Sequence, residues 1–219
     1  MNYPYMIGKK KWGVYAKTMQ YSAGIFASGD PGSMAMNSGT HYHSDRSLFL
    51  VKSFGQELTV SYPEGNICFR DTSHSPLFSL CLPLINYLVR ADGTELSGGL
   101  ISYRELENGH VFYPAFRRGA INKLSAWVEG KTPDLLAAAV KDLGGEITGG
   151  ADLGCKLYIF PRFPVILKLW FPDEETGGSA NILFDSTANH YLHTEDIAAI
   201  GELAAYFLMS HYEFLHENK

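Results

Sequence analysis

The first candidate for chemistry is a pair of histidines, His190 and His193, that are separated by two residues. Asp185 precedes the pair and Glu195 follows it. Imidazole nitrogens and carboxylate oxygens are ligands that suit zinc or iron. The spacing matches no recognised metal motif, however, and turn formation and helix capping explain the two acids equally well. We therefore predict no metal or other cofactor, and we keep zinc or iron at His190, His193 and Asp185 as the alternative.

A second pair of histidines, His41 and His43, alternates with Asp45. In an extended chain, residues two positions apart point to the same side, as metal ligands would have to. An exposed loop explains the segment better, and we interpret it in that way.

Arginine and carboxylate side chains form a third group. Arg104 and Glu105 are adjacent, and Arg117 and Arg118 follow in a predicted helix. The planar fork of arginine suits an anionic ligand. The alternative, which we favour, is an ion pair that ties Arg104 to the acidic loop at residues 173–175. The acids of that loop are also candidates for acid–base catalysis, although acids in such loops are usually solvated.

Other enzyme classes lack their signatures in this chain. It has no Gly-x-Ser-x-Gly nucleophile motif, no Gly-x-x-x-x-Gly-Lys phosphate loop and no Gly-x-Gly-x-x-Gly dinucleotide motif. The three cysteines, Cys68, Cys81 and Cys155, lie far apart and are interpreted as reduced thiols. These absences disfavour hydride transfer with a dinucleotide and phosphoryl transfer from a phosphate loop.

Composition limits the partners. The formal net charge is −5, and the densest basic cluster is residues 9–11, so no nucleic-acid partner is predicted. No stretch reaches the roughly 18 apolar residues of a membrane span, and no signal peptide is evident, so we predict a cytoplasmic protein. Charged residues make up 19%, below the roughly 25% typical of soluble domains, and aromatic residues make up 13%. Such a surface suggests a homodimer or a larger protein partner.

The elements that must position these side chains are clearest in the last third of the chain. Residues 155–161, 165–171 and 180–184 are rich in branched and aromatic residues, which is typical of buried strands. Thr194 is predicted to cap a helix whose apolar residues recur at helical spacing. We expect this platform to gather Arg104, Asp173, Asp185 and His190 into one pocket.

The remaining pattern is that of an α+β domain. A predicted N-terminal helix, with Trp12 on its apolar face, is followed by a hairpin at residues 47–53 and 57–62 and a third strand at 66–70. A helix at residues 75–90 contains Pro83 and is apolar on nearly every side, so we expect it to be kinked and buried. Two further helices are predicted at residues 113–129 and from Thr132 to the glycines at 144–145. The prediction is one domain over residues 1–219, with a mostly antiparallel sheet and a long C-terminal helix packed on it.

Several stretches together resemble a known family. They are residues 84–118, the Leu-Gly-Gly at 143–145, the Pro-Arg-Phe-Pro at 161–164 and residues 183–208. Their order and spacing resemble the prokaryotic family catalogued as domain of unknown function 3786. The likeness runs from about residue 34 to residue 216, and residues 1–33 add an N-terminal helix and loop.

What the resemblance implies is limited, because this family is uncharacterised. It is found largely in anaerobes, and some members carry a cysteine-rich, iron–sulfur-type segment, which suggests anaerobic cofactor or one-carbon metabolism. This chain lacks clustered cysteines, so we predict no cluster of its own. The positions that match the family's polar motifs are candidates for ligand binding: Tyr103, Arg104, Glu105, Asp173, Glu175, Asp185, Glu195 and Asp196. His190 joins them from the histidine pattern.

Three functions remain open at this stage. The first is a non-catalytic cytoplasmic module that binds a small molecule or a partner protein. The second is a metal-assisted hydrolase or lyase that uses His190, His193 and Asp185. The third is a purely structural dimeric domain, in which the polar motifs only hold loops in place.

Overall fold

A computed structural model of the chain describes residues 3–8 and 13–218. The basic cluster at residues 9–11 and Trp12, both used in the sequence analysis, lie outside the described residues. Within the described part, no helix combines the length and the apolar character that crossing a membrane requires.

The N-terminal region contains two helices, α1 (Ala16–Ser28) and α2 (Pro31–Ser38). Helix α2 was not predicted from the sequence, in which residues 1–33 were interpreted as one helix and a loop. The Asp30 side chain accepts a hydrogen bond from the Ser33 N–H at 2.7 Å, and Pro31 lies in the first turn of α2. The residues that end the first helix therefore begin the second.

The next segment forms a four-stranded antiparallel sheet in the order β1 (His41–His43), β2 (Leu48–Ser53), β3 (Gln56–Ser61) and β4 (Ile67–Phe69). The predicted hairpin and third strand are confirmed. The loop interpretation of His41 and His43 is wrong, because these residues pair with β2 as an edge strand.

Helix α3 (Phe78–Arg90) is the buried, proline-containing helix that the sequence predicts. It begins later than expected, because residues 75–77 pair with the N-terminal segment: the Gly8 N–H donates to the Ser75 carbonyl, and the Leu77 N–H donates to the Met6 carbonyl. The side chains that α3 buries lie on most of its circumference: Leu80, Cys81, Pro83, Leu84, Ile85, Tyr87 and Leu88.

The other helices lie against the second half of the chain. Helices α4 (Gly109–Phe116) and α5 (Asn122–Trp127) are joined by a π-helical turn, Arg117–Ile121. Helix α6 (Pro133–Asp142) begins where predicted, and α7 (Thr194–Glu217) is the long C-terminal helix. Thr194 is the first residue of α7 rather than its cap; its hydroxyl instead donates to the Glu107 carbonyl at 2.6 Å.

The second sheet has five antiparallel strands in the order β5 (Leu100–Ser102), β9 (Ser179–Asp185), β8 (Phe163–Trp170), β7 (Leu153–Phe160) and β6 (Glu146–Thr148). The three strands predicted in the last third are thus confirmed. Helix α7 contacts β7 and β8. The α+β class with antiparallel pairing and a long C-terminal helix is confirmed, although the strands form two sheets where the sequence analysis expected one.

The two sheets meet at the tip of the β2–β3 hairpin, where the Phe54 N–H donates to the Tyr158 carbonyl at 3.0 Å. The outermost strands of both sheets are short. β1, β4, β5 and β6 each contain three residues. The long strands are therefore all interior to a sheet.

Candidate functional site

The polar residues gather around the segment that joins α3 to β5, residues 91–99. Asp185, at the end of β9, fixes one part of this segment and is 5% exposed. Its Oδ1 accepts hydrogen bonds from the N–H and hydroxyl of Ser97 and from those of Thr187, at 2.7–3.1 Å. Its Oδ2 accepts one from the Gly98 N–H at 2.8 Å. Asp185 therefore clamps the segment to the end of the sheet.

Two opposing effects act on the pKa of Asp185. Burial raises it, while the hydrogen bonds from Thr187, Gly98 and Ser97 lower it. The hydrogen bonds prevail, and the pKa lies below its ordinary value. The carboxylate is therefore ionised at neutral pH, with both oxygens occupied by donors from the protein.

His190 contacts the first part of the same segment, through Asp92 and Thr94. Its Nδ1 is 2.7 Å from Asp92 Oδ2 and 3.1 Å from the Thr94 hydroxyl. The hydrogen bond from His190, followed by those from Thr94, lowers the pKa of Asp92 to about 2. Asp92 thus stays ionised and orients the ring through Nδ1. The Nε2 atom has no hydrogen-bond partner among the described residues, and the side chain is half exposed.

Arg90, the last residue of α3, supplies a positive charge beside His190. Its Nε and Nη2 donate to the Asn189 carbonyl at 3.2 and 3.0 Å, and Nη1 is 3.4 Å from His193 Nε2. Asn189 in turn accepts a hydrogen bond from the Glu107 N–H at 3.0 Å. Within residues 3–8 and 13–218, neither the Arg90 guanidinium nor the Glu107 carboxylate has an ion-pair partner.

These groups line one small polar cavity of about 270 Å³. Its lining consists of Arg90, Asp92, Glu107, Asn189 and His190. Two residues of opposite charge, Arg90 and Glu107, thus line the same cavity without forming an ion pair with each other, next to an imidazole nitrogen that has no partner among the described residues. This arrangement can hold a small polar molecule or take part in proton transfer.

Three of the predicted site residues have structural contacts instead. The Tyr103 ring is buried against Phe116, and its hydroxyl donates to the Thr194 carbonyl at 3.1 Å. Burial, with the charges of Glu195 and Glu202 nearby, raises the pKa of Tyr103 to about 12. Glu105 accepts hydrogen bonds from the N–H and hydroxyl of Ser102 in a capping box. The Asp196 carboxylate accepts hydrogen bonds from the Asn86 amide at 3.0–3.1 Å.

Arg104 and Glu195 are exposed, and the structure does not bring them into the cavity. The favoured ion pair between Arg104 and the acidic loop does not form among the described residues. The interpretation of Arg104 as a structural partner of that loop is therefore wrong.

Asp173 and Glu175 lie at the opposite end of β9 from Asp185. A seven-residue strand places its two ends roughly 20 Å apart. Asp173 Oδ1 accepts hydrogen bonds from the Glu175 N–H, the Thr176 N–H and the Thr176 hydroxyl, which closes a turn. The single pocket that was expected to join Asp173 to Asp185 is therefore not formed.

The alternative metal set is not assembled either. Asp185 is enclosed by donors, and His193 faces the Arg90 guanidinium. No group of three or more His, Cys, Asp or Glu side chains within the described part of the chain is placed to hold a metal ion.

Sequence reasoning missed Arg90, Asp92, Glu107 and Asn189. Arg90 and Asp92 lie at and just beyond the end of the helix predicted at residues 75–90, and neither belongs to a motif that the sequence singled out.

Comparison with known proteins gives one match. The family model described as Domain of unknown function (DUF3786) matches residues 30–206, which is most of the chain. No curated protein and no solved structure matches the chain.

Proposed function

The chain belongs to the family described as Domain of unknown function (DUF3786), and from its cavity we propose that it is a binding module for a small dipolar molecule. The proposal rests on one observation. Arg90 and Glu107 carry opposite charges, line the same cavity and do not pair with each other. A ligand with one anionic and one cationic group, such as an amino acid, would satisfy both.

The dimensions support a small ligand. Pockets for drug-sized molecules usually measure about 300–1,000 Å³, and this cavity measures about 270 Å³. A carboxylate can accept two parallel hydrogen bonds from a guanidinium, and an ammonium can donate to Glu107. His190 Nε2 adds a third polar contact. We also propose that the protein acts in anaerobic cofactor or one-carbon metabolism, which is the setting that the family resemblance implies. A partner protein bound by the same module is part of this proposal.

Glycine is the simplest probe of this proposal. We expect it to bind more tightly than acetate or methylamine at equal ionic strength, because each of these carries only one of its two charges. NMR titration, followed at the backbone amides of Asn189 and His190, measures the affinities. Acetate binding as tightly as glycine would reject a dipolar ligand.

Two substitutions should weaken glycine binding by tenfold or more: Arg90→Met, which removes the cation, and Glu107→Gln, which removes the anion. Glu107 has no side-chain partner among the described residues, so its substitution leaves the fold intact. Arg104→Met is the matched control, because Arg104 is exposed outside the cavity. Equal losses in the control and in Glu107→Gln would contradict the assignment.

The Asp92–His190 pair favours a second candidate function, which is proton transfer. A carboxylate that holds Nδ1–H leaves Nε2 as the proton acceptor, which is the arrangement of many general bases.

We expect the neutral His190 ring to carry its proton on Nδ1, and we expect Asp92→Ala to weaken this preference for the Nδ1 tautomer. Nitrogen-15 NMR of the imidazole at alkaline pH distinguishes the two tautomers. An unchanged tautomer in Asp92→Ala, with Asp45→Ala as control, would show that Asp92 does not orient the ring.

Two other candidates have less support. The metal-assisted hydrolase or lyase would need His190, His193 and Asp185 in one ligand set, and their contacts are with other groups. Elemental analysis of protein purified without chelator tests the metal-assisted enzyme directly.

The structural homodimer is supported by exposed apolar side chains such as Tyr21 and Met36, which are 72% and 70% exposed. Light scattering that finds a monomer at tens of micromolar would reject it.

A further inference from the structure

Two histidines of the edge strand β1 lie side by side on its outer face. Tyr42 pairs with Phe49, which is fully buried, so the side chain of Tyr42 belongs to the inner face of the four-stranded sheet. Because side chains alternate along a strand, His41 and His43 both belong to the outer face. A metal ion shared by residues two positions apart requires this extended backbone, and β1 provides it.

The two imidazole rings are in contact. Their centres are 4.4 Å apart, and their planes are inclined by 79°. A metal ion that binds each imidazole nitrogen at about 2.0–2.1 Å holds two such nitrogens roughly 3 Å apart. The terminal torsion of a histidine side chain is broad, and rotation about it can turn one nitrogen of each ring toward a common ion. The pair can therefore chelate a metal ion without movement of the strand.

The nitrogens of both rings are available to a ligand. Among residues 3–8 and 13–218, neither the His41 ring nor the His43 ring has a hydrogen-bond or ion-pair partner. His41 is exposed and lines a cavity of about 910 Å³, and His43 is half-buried. An ion can thus reach the pair from solvent.

The charges around the pair are balanced. Lys52 on β2 lies directly opposite Glu57 on β3. In the turn that follows β1, Arg46 is 3.7 Å from Asp45, and both side chains are exposed. Each of these cations has an acid beside it, and water and salt screen the remaining repulsion at an exposed surface. A bound cation is therefore tolerated at this position.

The number of protein ligands selects the metal. Zinc sites use three or four protein ligands, and within the described ranges no group of three or more His, Cys, Asp or Glu side chains is placed to hold an ion. Two imidazoles, with water in the remaining positions, suit the tetragonal nitrogen and oxygen coordination of Cu²⁺ and Ni²⁺, and Cu²⁺ binds such ligands more strongly. We propose that His41 and His43 chelate a Cu²⁺ ion on the outer face of the four-stranded sheet. This site shares no residue with the cavity of the proposed function.

Titration with Cu²⁺, followed by electron paramagnetic resonance, tests the proposal. We expect one ion to bind with two nitrogen ligands, and Ni²⁺ and Zn²⁺ to bind more weakly. A chelate needs both rings, so His41→Gln and His43→Gln should each weaken copper binding by roughly tenfold or more. Neither ring has a hydrogen-bond partner in the described chain, so both variants should remain folded, which circular dichroism verifies.

His110→Gln is the matched control, because His110 is an exposed histidine of α4, and it should bind copper like the wild type. The position of the ion is measured by NMR, since paramagnetic Cu²⁺ below one equivalent should broaden the amide signals of β1 before that of His190. Wild-type protein that binds no copper overturns the proposal. So does a folded His41→Gln or His43→Gln variant with wild-type affinity, a control that loses as much affinity, or broadening centred on His190.

Discussion

Replacing Asp185 by asparagine is expected to lower the free energy of unfolding by about 2–4 kcal/mol. The carboxylate is buried and accepts hydrogen bonds from three residues. Asparagine has one acceptor oxygen, and its amide group would face donors, so at least one N–H of Ser97, Gly98 or Thr187 would lose its partner. Urea denaturation at pH 7 measures the difference.

The pH dependence gives this prediction a second measurement. The pKa of Asp185 is lower in the folded protein than its ordinary value of about 4. Its contribution to stability is therefore fully present above pH 4 and is lost as the pH falls through the folded pKa. The difference between wild type and Asp185→Asn should shrink correspondingly in acid.

Asp45→Asn is the control for both measurements on Asp185→Asn, because the Asp45 side chain is 74% exposed. It should leave the unfolding free energy nearly unchanged at every pH. Asp185→Asn with wild-type stability, or with a difference that grows in acid, would show that the five hydrogen bonds do not anchor the segment.

The second large effect is expected at Tyr87, a fully buried residue of α3. Its hydroxyl donates to the Ser38 carbonyl and accepts a hydrogen bond from the Arg162 N–H at 3.0 Å. One phenol thus connects α2, α3 and the β7–β8 turn. Burial raises the pKa of Tyr87 above its ordinary value, so the hydroxyl remains protonated and can donate. Tyr87→Phe should destabilise the protein by about 1–3 kcal/mol, because the buried Ser38 carbonyl and the partly buried Arg162 N–H lose their partner.

The ring itself should be unaffected by this substitution. It stacks on Phe160 at 4.7 Å and on Tyr191 at 5.8 Å, and phenylalanine preserves both contacts. Tyr21→Phe provides the comparison, because Tyr21 is exposed. If both substitutions change the urea midpoint equally, the Tyr87 hydroxyl has no special role.

The fold was predictable where the sequence signal is local. Along β8, branched residues alternate with Lys168 and Trp170, and Asp185 and Ser186 end β9. The positions of these strands along the chain therefore follow from neighbouring residues. Helix α2 was missed because Asp30 and Pro31 serve equally well to end a helix or to begin one. The division of the strands into two sheets depends on contacts between distant segments, which no local pattern encodes.

The candidate site was predictable only in part, for the same reason. Asp185 and His190 are close in sequence and were both selected, but Asp92 and Arg90 reach them from almost a hundred residues away. The error with Asp173 was avoidable. When two consecutive strands pair antiparallel, the loop that joins them and the far end of the second strand lie at opposite ends of that strand.

The shortness of the outermost strands has a consequence for behaviour at high concentration. Fibril growth by strand addition needs a long, flat edge on which a second molecule can form a continuous ladder of backbone hydrogen bonds. β1, β4, β5 and β6 each offer three residues for such a ladder. A second molecule could therefore extend only a short ladder on any of these four strands, which disfavours amyloid-type polymerisation of the native protein through them.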